Sequence, residues 1–184
     1  LTIGIINAIT DRSYALIREN NDNIRKELIT PLTNFNVLSL SQKIINDYSS
    51  IGFINGSLNR ESSFEDANNY AFMANIFDNK RAFSFKGYYY KTYSPRLSQR
   101  SGQRKIITIE ELKGNFRYWL HVHAADRYYN PNEIGFFNSK NFIQYGSRVS
   151  YQILNKNKYF RNFQTMLYLG CLLYTSPSPR DSDQ

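Results

Sequence analysis

Thr10-Asp-Arg-Ser-Tyr-Ala-Leu-Ile-Arg-Glu-Asn-Asn-Asp-Asn-Ile-Arg-Lys-Glu-Leu28 is the stretch on which the fold class turns. Thr10 or Asp11 offers a side-chain oxygen for a helix N-cap, Leu16, Ile24 and Leu28 fall on one side, and Pro31 stops the run. That pattern predicts a helix from residue 10 or 11 to about 28. Upstream, Leu1-Thr-Ile-Gly-Ile-Ile-Asn-Ala-Ile9 is rich in β-branched residues and predicts a buried strand. Downstream, Asn36 to Leu40 and Ile51 to Asn55 predict two more strands, with a short helix capped by Ser41 running to Tyr48 between them. The β-α-β-α-β order favours an α/β fold with some parallel pairing; a mixed α+β layout is the alternative.

Further along, Ser62 or Ser63 opens a predicted helix, with Glu65 and Asp66 in its first turn and Ala67, Tyr70, Ala71 and Ala74 at helical spacing. Residues 82–93 alternate as a strand with a bulge expected at Gly87, and Pro95 to Lys105 reads as a polar, basic loop. Thr108 and Glu111 form a capping box for a helix carrying Leu112 and Phe116, followed by a strand from Tyr118 to Ala124. Two aromatic-rich amphipathic stretches, about 141–154 and 158–169, predict C-terminal helices. No internal repeat interrupts this order, so one domain is expected.

The tail bears on composition. Cys171 to Asp181 resembles the in-frame translation of a sequencing-library adapter, so residues 171–184 are expected to be non-native and residues 1–170 to be one domain truncated at both ends. Without the tail, Lys+Arg falls to 22 (23 − 1) and Asp+Glu to 13 (15 − 2), moving the net charge from +8 to +9. The tail also holds the only cysteine, which excludes a disulfide framework, a cysteine zinc site and a thiol nucleophile from the remainder. No apolar run reaches the roughly 18–20 residues of a membrane helix, so no membrane span is expected.

Three features carry candidate chemistry. Between Asp78 and Glu110 there is no acidic residue, while Lys80, Arg81, Lys86, Lys91, Arg96, Arg100, Arg104 and Lys105 are basic. They are interleaved with Phe83, Phe85, Tyr88, Tyr89, Tyr90 and Tyr93. Aromatic faces stack bases and cations neutralise phosphates, so Lys86, Tyr88, Tyr90, Lys91, Arg96, Arg100, Arg104 and Lys105 form a candidate surface for single-stranded nucleic acid. The same residues also suit a half-buried strand followed by a solvated loop. Second, His121-Val-His123 places both histidines on one strand face, where they could hold a divalent manganese, magnesium or zinc ion. Asp126 is the nearest carboxylate, with Glu133, Glu110 or Glu111 as alternatives. Third, Tyr145 and Tyr151 lie on a predicted helix with Arg148 between them, and either hydroxyl could attack a metal-bound phosphate.

These features resemble, in part, rolling-circle replication initiators and relaxases, which carry a His-hydrophobic-His metal motif on a strand and a nucleophilic tyrosine on a later helix. His121, Val122 and His123 match the first element, and Tyr151 or Tyr145 the second. The resemblance implies a metal that polarises the scissile phosphate, a covalent tyrosine–DNA link and a basic groove for the strand. It departs from that family in placing a helix before the histidine strand. Leu120-His-Val-His123 also looks like the opening metal motif of phosphoesterase or amidohydrolase barrels, which need further histidines downstream. The function expected is nucleic-acid binding with metal-dependent phosphodiester chemistry as its sharper form. A non-catalytic structural or assembly protein of a virion or surface is the alternative, favoured by the abundant Tyr, Phe and Asn. A carbohydrate-active enzyme comes third, without an Asp-x-Asp pair or a glycine-rich phosphate loop to support it.

Overall fold

A computed structural model of the protein describes residues 1–18, 24–61, 66–93, 101–132, 139–154, 158–159 and 161–174. Among them there are eleven β-strands and no helix. They are β1 (Thr2–Thr10), β2 (Ser13–Arg18), β3 (Ile24–Thr30), β4 (Thr33–Lys43), β5 (Ser50–Arg60), β6 (Ala67–Phe77), β7 (Phe83–Tyr93), β8 (Ser101–Glu111), β9 (Phe116–Ala125), β10 (Phe142–Ile153) and β11 (Phe163–Tyr174).

Nine of these form one sheet in the order β1-β4-β5-β6-β7-β8-β9-β10-β11, and β2 and β3 form a separate hairpin inserted between β1 and β4. Every pairing is antiparallel, and along the large sheet the register runs without a break. Strands β4 to β11 are 10–12 residues long. One end of the sheet is closed by residues 44–49, 78–82, 112–115 and 154–162. The other is joined by 61–66, 94–100 and 126–141, and by 11–32, which carries the hairpin.

Two of the turns at the first end are built by single side chains. Asn46 Oδ1 accepts the amides of Tyr48 and Ser49 at 3.0 and 2.8 Å, while its Nδ2 donates to the Phe77 carbonyl at 2.8 Å. This ties the 44–49 turn to the end of β6, with Ile45 held at φ 63° beside it. Asp78 accepts the amides of Lys80, Ala82 and Phe83 at 3.1, 2.5 and 2.8 Å, turning β6 into β7 around Arg81 at φ 54°.

The α/β expectation is therefore overturned, and so is any parallel pairing. The helix expected from 10 or 11 to 28 is the β2–β3 hairpin, where Tyr14 pairs with Leu28, Leu16 with Lys26, and the Lys26 ammonium sits 4.0 Å from the Tyr14 ring. The 41–48 helix is the end of β4 and a turn; the helix from Ser62 or Ser63 falls on β6 from Ala67 onward, its start at 62–65 lying outside the described residues. The capping box at Thr108 and Glu111 lies within β8, which also absorbs the last part of the expected basic loop. The two C-terminal helices are β10 and β11. Gly87 makes no bulge: it pairs in register with Ala74 and Ile107. The cause is common to all these segments. Apolar residues occupy both strand parities often enough to imitate helical spacing, while β-branched and aromatic side chains hold the backbone extended. The strands expected near 1–9, 36–40, 51–55, 82–93 and 118–124 are present as parts of β1, β4, β5, β7 and β9, but β1, expected to be buried, is exposed along its whole length at the edge of the sheet.

β11 stays in register with β10 through Cys171, Leu172, Leu173 and Tyr174, the first residues of the adapter-like tail.

Candidate functional site on the two faces of the sheet

Side chains alternate between the faces of a strand, so the register assigns each residue of the sheet to one face. In β7 and β8 neighbours differ sharply: Ser84 is 3% exposed and Phe85 41%, and Thr108 is 8% exposed between Ile107 at 46% and Ile109 at 41%. The pattern is general. From β4 to β10, all thirteen exposed large apolar side chains lie on the face of Phe85 and Ile107, here called the outer face. Every buried strand residue, including Thr33, Leu58, Ala67, Thr92, Ala125, Phe142 and Gln152, lies on the other, inner face. Among the described residues no second sheet or helix packs on either side, and part of the inner face is covered by the 126–132 segment.

The outer face is an apolar band. Phe53, Phe72 and Tyr89 meet across β5, β6 and β7 with ring centroids 4.9 and 6.3 Å apart, and Phe83 and Tyr118 approach to 6.4 Å. Leu40, Ile51, Phe53, Phe72, Phe85 and Ile107 line a shallow depression of about 650 Å³ on it. Towards the long-loop end the band gives way to amides: Asn7 Nδ2 bonds Asn34 Oδ1 and Asn36 Oδ1, each at 2.6 Å, and Asn55 and Asn59 share this face on β5. Lys91 and Lys105 also face outward at that end, Lys105 reaching 6.0 Å from the Tyr89 ring centroid.

The inner face is mixed on β4 to β6, where Val37, Ile54, Leu58 and Met73 lie, and gathers polar and charged groups on β7 to β10. Glu110 on β8 accepts from Ser84 at 2.8 Å and from Lys86, both on β7. Thr108 Oγ1 and His121 Nδ1 are 2.9 Å apart, and Arg104 Nε donates to His123 Nε2 at 2.8 Å. Trp119 stacks on His121 at 5.0 Å with an interplanar angle of 8°, and the Arg148 guanidinium lies 5.9 Å from the indole centroid. His123 meets Phe142 edge-on at 4.7 Å, and Arg104 lies 5.2 Å from the Tyr90 ring.

The β9–β10 connection folds onto this face. Asp126 accepts the amides of Gln103 and Tyr128 at 2.8 and 2.9 Å. Asn130 N donates to Thr92 Oγ1 at 3.2 Å, and Asn69 Nδ2 to the Pro131 carbonyl at 3.4 Å. The segment thus crosses back over β8 and β7 to β6, roughly 14 Å at the usual strand spacing. Gly102 lies under it: a Cβ there would collide with the backbone of Tyr128 and Tyr129. Tyr129 packs with Ala125, Phe142 and Tyr90 in a small buried cluster.

The residues singled out from the sequence distribute as follows. His121 and His123 do share a face, with ring centroids 6.1 Å apart. His123 Nε2 is engaged by Arg104, and the Asp126 carboxylate by backbone amides. Among the described residues no group of three or more His, Cys, Asp or Glu is placed to hold a metal ion. Tyr145 and Tyr151 lie on β10, not on a helix, opposite Val122 and Phe116 on the outer face and so across the sheet from the histidines. Of the basic and aromatic stretch, Lys86, Tyr88, Tyr90 and Arg104 face inward, Lys91 and Lys105 outward, while Arg96 and Arg100 lie outside the described residues. Sequence reasoning passed over Trp119, Glu110 and Arg148 as a set, and the glycines that seat Trp119 and the loop. Writing β7 to β10 as two alternating columns would have revealed them.

No helix among the described residues is long and apolar enough to cross a membrane. The sheet is a single-layer antiparallel meander with its exposed large apolar side chains from β4 to β10 on the open outer face. Its inner face is mixed on β4 to β6 and rich in polar and charged side chains on β7 to β10. The chain belongs to the DUF5916 family, described as a domain of unknown function, whose model matches residues 1–180. No curated protein and no solved structure matches it.

Proposed function

We propose that this chain forms part of the wall of a membrane-embedded β-barrel, with its outer face against lipid and its inner face lining the lumen. The observation that carries this is the complete sorting of exposed large apolar side chains to one face of β4 to β10 and of buried residues to the other. In water such a face would lose the roughly 25 cal/mol per Å² that burial of apolar surface supplies; against lipid it does not. Strand length agrees. Eleven residues rise about 36 Å, and a tilt near 40° projects that to about 28 Å, close to the apolar band of outer-membrane barrels. Backbone groups inside a bilayer must pair, so in this reading further strands complete the hydrogen bonding along β1 and β11.

This reading also accounts for the expectation of no membrane span, which rested on helix-length apolar runs; strands cross with alternation instead. A single-stranded nucleic-acid surface draws support from Lys86, Tyr88, Tyr90 and Arg104 alone among the described candidates, since only these share the inner face.

The test is partition combined with labelling. The intact protein should float with phospholipid vesicles and resist extraction by high salt. Ile107→Cys, made together with Cys171→Ser so that position 107 holds the one thiol, should react with a lipid-soluble probe and resist a water-soluble maleimide. A protein that stays monodisperse without detergent, with position 107 open to the aqueous reagent, would sink the proposal.

A further inference from the structure

The inner face is strongly biased in charge. Among the described strand residues of the large sheet, those on this face with a formal charge at pH 7 are Lys43, Arg60, Lys86, Arg104, Arg117 and Arg148, opposed by Glu110. Six positive charges against one negative leave an excess of five. Four of the six, Lys86, Arg104, Arg117 and Arg148, stand on the adjacent strands β7 to β10. The outer face of these same four strands carries Lys91, Lys105 and Glu111, so the bias is much larger inside.

Two of the six are offset by carboxylates, Lys86 by Glu110 and Lys43 by Asp47 of the 44–49 turn at 3.5 Å, while Arg104, Arg117 and Arg148 meet neutral groups. Arg104 is directed at a neutral acceptor on His123, and Arg148 lies near the Trp119 ring. Arg117 Nε donates to the Gly114 carbonyl at 3.2 Å, again a neutral partner. A sheltered wall of low dielectric focuses the field of such a set into the space it encloses. Rings of Arg and Lys are the general means by which pores favour anions.

We infer that the inner face of β7 to β10 forms a path for small anions, such as chloride and carboxylate- or phosphate-bearing solutes, through the barrel. This rests on the membrane-wall reading. The inward-folded segment 126–132 lies over the same strands, contacting Gly102 and Thr92, and so narrows the path beside Arg104. Solutes passing there come within reach of Arg104, and Arg148 stands six residues, about 20 Å, further along the same face.

The experiment separates the two claims. Vesicle flotation of the intact protein reports insertion, and the reversal potential in a planar bilayer under a tenfold potassium chloride gradient reports selectivity. Chloride should permeate more readily than potassium. Arg148→Gln should lower the chloride-to-potassium ratio by about twofold, and Glu110→Gln should raise it by a similar factor, since one removes and the other adds a net positive charge. Replacing chloride by phosphate on one side should preserve an anion-directed potential. Opposite shifts in the two variants support the inference and cannot both arise from misfolding. Insertion with a potassium-preferring, unselective or absent current overturns it while leaving the membrane wall intact. Failure to float overturns the membrane wall, and the path with it.

Discussion

The indole of Trp119 lies over Gly146 on the neighbouring strand, so close that a Cβ at position 146 would stand 2.8 Å from Trp119 Cζ3. Gly146 is the residue directly opposite His121 in the β9–β10 ladder, and Trp119 and His121 stack side by side above it. The absence of a side chain at 146 is what lets two inward rings lie flat against the sheet. Gly146→Ala should therefore displace the indole and destabilise the fold by about 1–3 kcal/mol, the usual range for overpacking. Loss of Trp119 fluorescence anisotropy, with an earlier unfolding midpoint, is the expected signature. An unchanged midpoint would refute this placement.

Ile106 and Ile107 are consecutive residues on opposite faces, and the same substitution should treat them differently. Ile107→Lys puts a charge on the outer band and should cost about 2–4 kcal/mol of stability in the bilayer. Ile106→Lys faces the inner wall near His123 and should be free of that penalty. Folding yield into vesicles, compared between the two variants, decides it. Equal yields contradict the assignment of faces.

Gly102 bears the 126–132 segment directly on its Cα, and any larger residue must push that segment away. Gly102→Val should loosen the cluster of Ala125, Tyr129 and Phe142. Limited trypsinolysis at Arg127 should accelerate markedly while the strands remain protected. Protection equal to that of the parent protein would show that the segment is held elsewhere.

Asp78 organises the 78–82 turn through bonds from backbone amides, that of Phe83 foremost, and these hold its carboxyl below the usual carboxylate range. The unfolded value is about 3.9. Because the folded value is lower, Asp78 contributes its full stabilisation above the unfolded pKa and loses it as pH falls through the folded one. Between pH 6 and 3 the parent protein should therefore lose stability more steeply than Asp78→Asn in urea unfolding. Parallel curves would remove Asp78 as a source of acid sensitivity.

Much of the strand content was legible. The β-branched run near β1, the alternation in β7 and the histidine strand β9 all stand where their patterns put them. The errors share one premise, that apolar side chains face a core. In β6, Tyr70, Phe72, Ala74 and Ile76 form the outer column, but Ala67, Ala71 and Met73 fill the inner one, and Ala67, Tyr70, Ala71 and Ala74 taken across both columns imitate a helix. An eleven-residue strand is also as long as a typical helix, so length did not arbitrate. The site suffered likewise. The His-x-His spacing correctly places two imidazoles together, but which groups meet them is set by register with β8 and β10, and no local pattern specifies that. Tyr145 and Tyr151 illustrate the limit: one residue of parity separates them from the histidine face.

The unequal connections at the two ends of the sheet give the molecule a direction. Entering a bilayer, a meander must drag every link at its leading end through hydrocarbon, and each polar backbone group in transit resists. Links 78–82 and 112–115 are five and four residues long, whereas 11–32 and 126–141 carry a hairpin and an inward-folded segment. In the proposed membrane wall, the end bearing 78–82 and 112–115 would therefore be the one that travels, with the end bearing 11–32 and 126–141 staying on the side of arrival. On that proposal, sidedness would follow from the spacing of the strands along the sequence.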